Sequence, residues 1–291
     1  MPFLINVTIV CSFYGGNMKR KIFCLTIIFT LFVTCFAFAQ EANDFTKEVK
    51  QANKEIYIAI IIDDFGNGTK DVEDMLSLSV PFTGAVIPGQ LHSVEHMKRL
   101  KELEKGVIIH LPMEAKGHKK SWDTPFSLYT GLSNEEVIKR TTMAIEELRE
   151  ANGLNNHMGS IATANKELMK SVVSTVNEHG LIMIDSVTTN KSKVKEVSEE
   201  MGLNFFARDV FLDDSSKSTT HFVEKRMKEA LKVAKQKGYA IAIGHVGPSG
   251  GINTVNGIKN TVPELEAQGV KFVTIEELHD IIHGGSLKKL E

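Results

Sequence analysis

The sequence predicts a single α/β domain folded as one irregular (β/α) barrel of seven or eight units. Short, nearly continuous apolar runs recur along the chain, which is typical of parallel strands buried on both faces. Segments with helical periodicity separate these runs, so strands and helices alternate. A doubly wound open sheet has the same alternation and is the competing architecture.

Eight segments carry the strand signal. The four strongest are residues 56–62, 107–111, 181–184 and 239–243. Four weaker candidates are residues 83–87, 154–157, 204–207 and 270–273. Eight strands separated by helices favour a barrel that comprises most of the chain.

Helices are predicted between the strands. Two apolar faces recur at helical spacing, Val137–Thr141–Ile145–Leu148 and Leu168–Val172–Val176. Three pairs have the spacing of a capping box and predict helix starts: Ser133 with Glu136, Thr261 with Glu264, and Thr274 with Glu277. Gly180 and Gly238 stand directly before strands and are expected to end helices.

The N-terminus has the three parts of a secretory signal peptide. Lys19, Arg20 and Lys21 precede an uncharged apolar run over residues 22–38, which ends in an Ala-Phe-Ala site at residue 39. The run approaches membrane-spanning length, so an uncleaved anchor is the alternative. We expect translation to start at Met18, with residues 1–17 a misassigned start. The predicted organisation is a signal peptide over residues 1–39, a flexible lead-in over 40–55 and the barrel over 56–291.

Composition excludes several classes of protein. The chain has 291 residues, of which 42% are hydrophobic and 24% charged, as is typical of a globular domain. Its net charge of −2 argues against a protein that binds nucleic acid in general. All three cysteines, Cys11, Cys24 and Cys35, precede the predicted cleavage site. An exported mature chain would therefore have no cysteine nucleophile and no thiolate ligand for zinc.

Polar side chains lie in or directly after five of the apolar runs, near the carboxyl ends where α/β folds place their functional residues. These side chains are Asp63, Asp64, His110 with Glu114, His157 in an Asn-Asn-His sequence, Asp185 and His245. Taken singly, each has an ordinary structural explanation, such as a helix cap, a loop cap or a hydrogen-bonded core histidine. Several such residues at the same end of the barrel together indicate a functional site.

The residue types in this set suit metal-assisted hydrolysis. An aspartate and two histidines with an open coordination position bind a divalent metal such as zinc, which activates water. A second carboxylate can accept the proton of that water, and a histidine can protonate the leaving group. The set therefore predicts hydrolysis of an amide or an ester.

Four motifs resemble those of the divergent polysaccharide deacetylases, relatives of the NodB-type carbohydrate deacetylases. They are Ile-Ile-Ile-Asp-Asp-Phe-Gly at 60–66, His-Leu-Pro-Met-Glu at 110–114, Asn-Asn-His-Met-Gly-Ser at 155–160 and Ala-Ile-Ala-Ile-Gly-His at 240–245. The resemblance extends over residues 56–282. It implies a distorted (β/α)7 barrel and a metal-dependent N- or O-deacetylase ancestry.

The resemblance also implies roles for individual residues. Asp63 would be the catalytic base, Asp64 a metal ligand and His245 the general acid. The family's His-x-x-x-His metal motif falls on His110 and Glu114, so either Glu114 or His157 would complete the site.

Two further positions are compared with the motifs of the usual family. Asp185 lies near a later acidic motif and is a third candidate catalytic residue. The arginine that orients the base in the usual family is absent from the Asn-Asn-His motif.

Two other segments carry candidate functional residues. The loop over residues 112–132 carries Trp122, Phe126 and Tyr129, which could stack on sugar rings or close the barrel edge. Ser249 lies in a G-x-S-x-G sequence, with Asp280 and His283 following, in the order of a serine hydrolase triad. We interpret that match as chance, because both partners are expected on one terminal helix.

The expected function is removal of acetyl groups from a glycan such as peptidoglycan. The expected location is the periplasm or the cell exterior, in association with the cell envelope and without a membrane span after signal cleavage. The alternative is an envelope protein that binds glycan or a protein partner through a non-catalytic barrel.

Overall fold

The computed structural model describes residues 55–68, 71–117, 119, 124–213 and 218–284. The predicted signal peptide, nearly all of the predicted lead-in and Trp122 lie outside these described residues. The described residues belong to one compact unit.

The described part of the chain contains nine strands and eight α-helices. The strands are β1 (Ile56–Phe65), β2 (Thr83–Val86), β3 (Gly106–Met113), β4 (Gly153–Met158), β5 (Ile182–Asp185), β6 (Phe205–Ala207), β7 (Val210–Phe211), β8 (Tyr239–His245) and β9 (Val270–Val273). The helices are α1 (Asp71–Leu76), α2 (Ser93–Glu102), α3 (Asn134–Glu147), α4 (Lys166–Glu178), α5 (Val194–Glu200), α6 (Thr220–Lys237), α7 (Ile252–Glu266) and α8 (Ile275–His283). All eight predicted strands are confirmed; β7 was missed because two residues are too few to show a periodicity.

The strands form one parallel sheet in the order β6-β5-β4-β3-β2-β1-β8-β7, and β9 pairs with the first half of β1. The sheet curls into a half-barrel, which confirms the irregular parallel barrel. Its two end strands, β6 and β7, follow each other in the chain. Between them, the Arg208 amide donates to the carbonyl of Asp185 and the Asp209 amide donates to that of Ile241.

Apolar side chains form two layers, one on each face of the curled sheet. The inner cluster fills the barrel and includes Ile61, Ile108, Ile184 and Ile243. The outer cluster lies between the sheet and the helices, and includes Ile60, Ile62, Ile109 and Leu154. Because successive residues of a strand alternate between these layers, the sequence reads as uninterrupted apolar runs.

Two of the three predicted helix starts are confirmed. Ser133 caps α3 by accepting from the Glu136 amide, and Thr274 with Glu277 forms the complete capping box of α8. Gly238 ends α6 in the left-handed region, at φ 95°. This region is accessible to glycine without steric cost.

The predicted helix start at Thr261 is wrong. Helix α7 begins at Ile252, and the Thr261 hydroxyl donates to the Gly257 carbonyl inside the helix. A threonine that bonds back to the preceding turn can follow a Thr-x-x-Glu pattern without being a cap.

Across the part of the chain that the structure describes, none of the helices has the length and apolar character needed to cross a membrane.

Candidate metal and catalytic site

The alternation of the strands directs one set of polar residues into the carboxyl end of the barrel. On β1, β3 and β8, the inner-layer residues Ile61, Ile108 and Ile243 are each followed two positions later by a polar residue. Those residues are Asp63, His110 and His245. On β4, Leu154 belongs to the outer layer, so Asn155 and His157 face inward. One face of the sheet therefore presents five polar side chains at its rim.

Asp64 joins this set through its backbone conformation. Its position after Asp63 would place it on the outer face, but its φ of 72° lies in the left-handed region. Aspartate tolerates this region better than most residues do. The resulting turn brings Asp64 to the same cleft as Asp63.

Asp64, His110 and His157 form a group that could hold a metal ion, with their ligand atoms all within 4.8 Å of one another. Asp64 Oδ1 lies 3.1 Å from His157 Nδ1 and 3.4 Å from His110 Nε2. The two imidazole nitrogens are 3.0 Å apart. One carboxylate and two imidazoles with an open fourth position match the usual ligand set of catalytic zinc.

The charge environment of Asp64 also fits a cation. Its Oδ1 is buried and makes no hydrogen bond within the described structure. Burial would raise the pKa of Asp64, but the imidazoles of His110 and His157 hold that pKa well below its ordinary value. A buried, ionised carboxylate oxygen that faces two imidazole nitrogens offers three ligand atoms to one cation, so the residues present fit a metal.

Asp63 lies beside this group and is almost completely buried. Its Oδ1 accepts a hydrogen bond from Asn155 Nδ2 at 2.9 Å. Its Oδ2 lies 3.6 Å from His110 Nε2 and 4.0 Å from His245 Nε2. Burial raises the pKa of Asp63 above its ordinary value, against the opposing effect of the two histidines. A raised proton affinity suits a general base.

His245 is held by a carboxylate that sequence reasoning missed. Asp213 Oδ1 lies 2.5 Å from His245 Nδ1, and Asp213 Oδ2 accepts from the His245 amide and from the Thr254 hydroxyl. Burial opposes protonation, but the bond to Asp213 raises the pKa of His245 to about 9. The bond to Asp213 therefore favours the imidazolium form of His245, whose Nε2 lies 4.0 Å from Asp63 Oδ2.

A signal for Asp213 was present in the sequence. Val-Phe-Leu-Asp-Asp at 210–214 repeats the pattern of apolar residues followed by two aspartates seen at Asp63 and Asp64. The run is too short to be identified as a strand from periodicity alone.

Glu114 and Asp185 lie apart from this group. Glu114 Oε2 accepts from the amide and the hydroxyl of Thr130, so its carboxylate is engaged in the loop. Asp185 Oδ1 accepts from the Val187 amide. Asp185 follows Ile184, an inner-layer residue, and therefore belongs to the outer face of β5. Of the two candidates for the third ligand, the geometry favours His157 over Glu114.

The polar group opens into a cleft of about 240 Å³. Besides the ionisable residues, the cleft is lined by Asn156, Met158, Ser186, Thr188, Phe211 and Ser249. The cleft thus combines a charged floor with a mixture of hydroxyl and apolar walls.

The serine triad suggested by the sequence is not assembled. Ser249 lines the cleft, whereas Asp280 and His283 belong to α8. The Ile275 amide at the start of α8 donates to Thr83, the first residue of β2, so α8 begins at the amino ends of the strands.

The aromatic loop residues that can be placed belong to the barrel edge. The Tyr129 hydroxyl accepts from Arg140 of α3, and Phe126 packs against the outer cluster. These contacts favour the edge-closing interpretation for both residues.

The chain belongs to the divergent polysaccharide deacetylase family, whose model matches residues 60–279. An uncharacterised protein of Haemophilus influenzae is 32% identical over 213 residues, or 73% of this chain and 75% of that protein. The uncharacterised protein YibQ of Escherichia coli is 31% identical over 192 residues, or 66% of this chain and 59% of YibQ.

Solved structures share the fold. The uncharacterised protein ATU2773 of Agrobacterium tumefaciens superposes with a TM-score of 0.71 at 16% identity, covering 77% of this chain and 89% of that one. The Xyl-CE4 domain of a multidomain xylanase from the hindgut metagenome of Trinervitermes trinervoides has a TM-score of 0.52 at 15% identity, covering 81% and 96%. At these identities, the likeness concerns the fold alone.

Proposed function

We propose that the protein is a metal-dependent hydrolase that removes N- or O-acetyl groups from a glycan. The observation that carries the proposal is the placement of two chemically distinct groups across one cleft. Asp64, His110 and His157 form a set suited to a divalent metal. Asp63 and His245 flank it with opposite proton-transfer properties.

The chain's own residues divide the chemistry between them. A divalent metal held by Asp64, His110 and His157 would supply a Lewis acid for the scissile carbonyl group and its attacking water. Asp63 Oδ2 is the free oxygen of the base and would accept a proton from that water, while the water oxygen bonds to the carbonyl carbon. His245 Nε2 would then donate its proton to the leaving nitrogen or oxygen as the bond to the acyl carbon breaks. Acetate and the deacetylated sugar are the products.

Asp213 has a supporting role in this proposal. By accepting from His245 Nδ1, it fixes the orientation of the ring and keeps the proton that Nε2 must donate. Thr254 and the His245 amide hold Asp213 in turn.

The proposal also includes a substrate and a cellular location. Family membership supports an acetylated glycan, and peptidoglycan is the first candidate because the N-terminus resembles a signal for export. Sequencing the N-terminus of the chain from a cell-envelope fraction tests the location. We expect a start at Gln40; a mature chain that begins before Met18 would contradict both the start at Met18 and the cleavage.

Metal content and acetate release test the activity together. Protein purified with zinc in the medium should contain about one equivalent of metal and release acetate from acetylated chitooligosaccharides or peptidoglycan fragments. Asp63→Asn should retain the metal but not the activity, whereas His110→Ala should lose both. A wild type that takes up no metal under these conditions and releases no acetate would contradict the proposed enzyme. Acetate release unaffected by both substitutions would contradict the proposed site.

One observation favours the alternative of a non-catalytic binding protein. Glu114 replaces the second histidine of the usual metal motif, and its carboxylate is bonded to Thr130 rather than to the metal group. A wild type that binds chitooligosaccharide without releasing acetate, at any metal loading, would support this alternative.

A further inference from the structure

We propose that Asn155 is the positioning residue of this site, and that its single amide orients both the base Asp63 and the metal-ligating imidazole of His110. The inference deepens the proposed function and rests on it. It assigns to Asn155 a task that the usual family gives to an arginine, which the Asn-Asn-His motif of this chain lacks.

Asn155 is completely buried at the centre of the polar group. Its Oδ1 lies 2.6 Å from His110 Nδ1, and its Nδ2 lies 2.9 Å from Asp63 Oδ1. Each end of the amide is thus in hydrogen-bond contact with a different functional residue. No water or backbone group is needed to link the two.

Hydrogen-bond chemistry fixes the direction of both contacts. An ionised carboxylate can only accept, so the amide NH2 must face Asp63. The amide oxygen then faces His110 and can only accept, so His110 Nδ1 must carry the proton. Once His110 is neutral, its Nε2 has the free lone pair, and Nε2 is the atom that faces Asp64 and His157. Asn155 therefore selects the tautomer that can ligate a metal.

The same amide also determines which oxygen of the base is free. Because Asp63 Oδ1 is occupied by Asn155, Oδ2 is left facing His110 and His245. Rotation of the carboxylate would break its bond to Asn155 inside a buried site, which is costly. The base is thus held with one oxygen toward the reacting groups.

The fold explains why one residue can reach both partners. Asn155 and His110 are register partners on the adjacent strands β4 and β3. Asp63 is on β1, separated from β3 by β2 in the sheet order. Only the curl of the sheet brings β1 and β4 close enough for the amide to reach Asp63 across the barrel.

Two substitutions separate the two contacts. Asn155→Ala removes both, whereas Asn155→Asp retains an acceptor for His110 Nδ1 but replaces the amide donor to Asp63 with a second carboxyl group, which competes with Asp63 for a proton. Asn165→Ala, which removes the side chain that caps α4, is the control for general destabilisation away from the cleft. For each protein, zinc affinity is measured by calorimetric titration of the metal-free form, and kcat and KM by acetate release.

The proposal predicts different outcomes for the two variants. Asn155→Ala should weaken zinc binding roughly 10–100-fold, as loss of a ligand's supporting hydrogen bond does, and should lose activity as well. Asn155→Asp should bind zinc at least as tightly as wild type, but its kcat should fall roughly 10–100-fold with little change in KM. Asn165→Ala should match wild type in zinc affinity, kcat and KM.

Specific results would overturn the proposal. Wild-type zinc affinity and kcat in Asn155→Ala would do so, and so would a wild type that binds no zinc. If Asn155→Ala does not fold, Asn155→Asp decides, because parallel loss or parallel retention of zinc affinity and kcat contradicts the predicted split. A wild type that binds zinc without releasing acetate overturns only the proposed activity, since the zinc affinities still test the His110 contact.

Discussion

Strands β1 and β5 each carry a buried aspartate directly after an apolar run, yet the two aspartates differ in chemistry. Asp63 of β1 follows the inner-layer Ile61 by two positions and faces the cleft. Asp185 of β5 follows the inner-layer Ile184 by one position and accepts from the Val187 amide in its own loop. Burial raises the pKa of both carboxyl groups, so a raised pKa does not distinguish them.

The comparison shows that a carboxylate reaches the cleft only if its position along the strand directs it to the inner face of the sheet. A carboxylate one position out of phase with the inner layer cannot reach the site, because side chains alternate between the faces of a sheet. Asp64 is an exception because its left-handed backbone changes the direction of its side chain.

The largest expected difference between the two strand ends is in catalysis. Asp63→Asn should reduce kcat for acetate release by roughly 10²–10⁴, the usual contribution of a general base, while zinc content is unchanged. Asp185→Asn should leave kcat close to that of wild type. Steady-state acetate release measures both variants, and equal losses would show that strand phase does not identify the base.

The metal ligands extend the comparison to β3 and β4. His157→Ala should weaken zinc binding by more than the roughly 10–100-fold typical of lost supporting contacts, because it removes a ligand. Glu114→Gln should bind zinc as wild type does, because Glu114 is bonded to Thr130. Calorimetric titration of both proteins measures this difference; the reverse order would make Glu114 the third ligand.

His245, at the end of β8, predicts how kcat depends on pH. His245 must be protonated to donate, and its pKa is raised to about 9, so activity should be retained at neutral pH and fall as the pH rises through about 9. Asp213→Asn removes the charge that favours the imidazolium, so the pKa of His245 should fall and the alkaline decline should move to lower pH. The pH profile of kcat measures the shift. An alkaline decline that does not move in Asp213→Asn would remove His245 as the acid.

The smallest expected effect concerns the backbone at the end of β5. Val187 has a φ of 48°, a strained conformation for a β-branched residue. Val187→Gly should relieve this strain and raise the free energy of unfolding by about 1 kcal/mol, because the relief exceeds the added freedom of the unfolded chain. Urea denaturation measures the change, and a less stable variant would show that the strain is absent or that the valine side chain compensates it.

Much of the fold followed from local patterns. The eight predicted strands are confirmed because runs of Ile, Val and Leu buried on both faces are distinctive in sequence. The helix start predicted at Thr261 is wrong because a capping pattern does not reveal whether a helix has already begun. Strand β7 and, with it, Asp213 were missed because two residues show no periodicity.

The sequence by itself determined which residues were available at the rim: Asp63, Asp64, His110, His157 and His245 lie in or directly after apolar strand runs, and local composition records this. The tertiary structure decided which of them meet. Strand phase turned Asp185 toward the outer face, the loop engaged Glu114, and sheet curl brought Asn155 of β4 to Asp63 of β1. Those outcomes depend on contacts between residues as much as 92 positions apart, which no local pattern encodes.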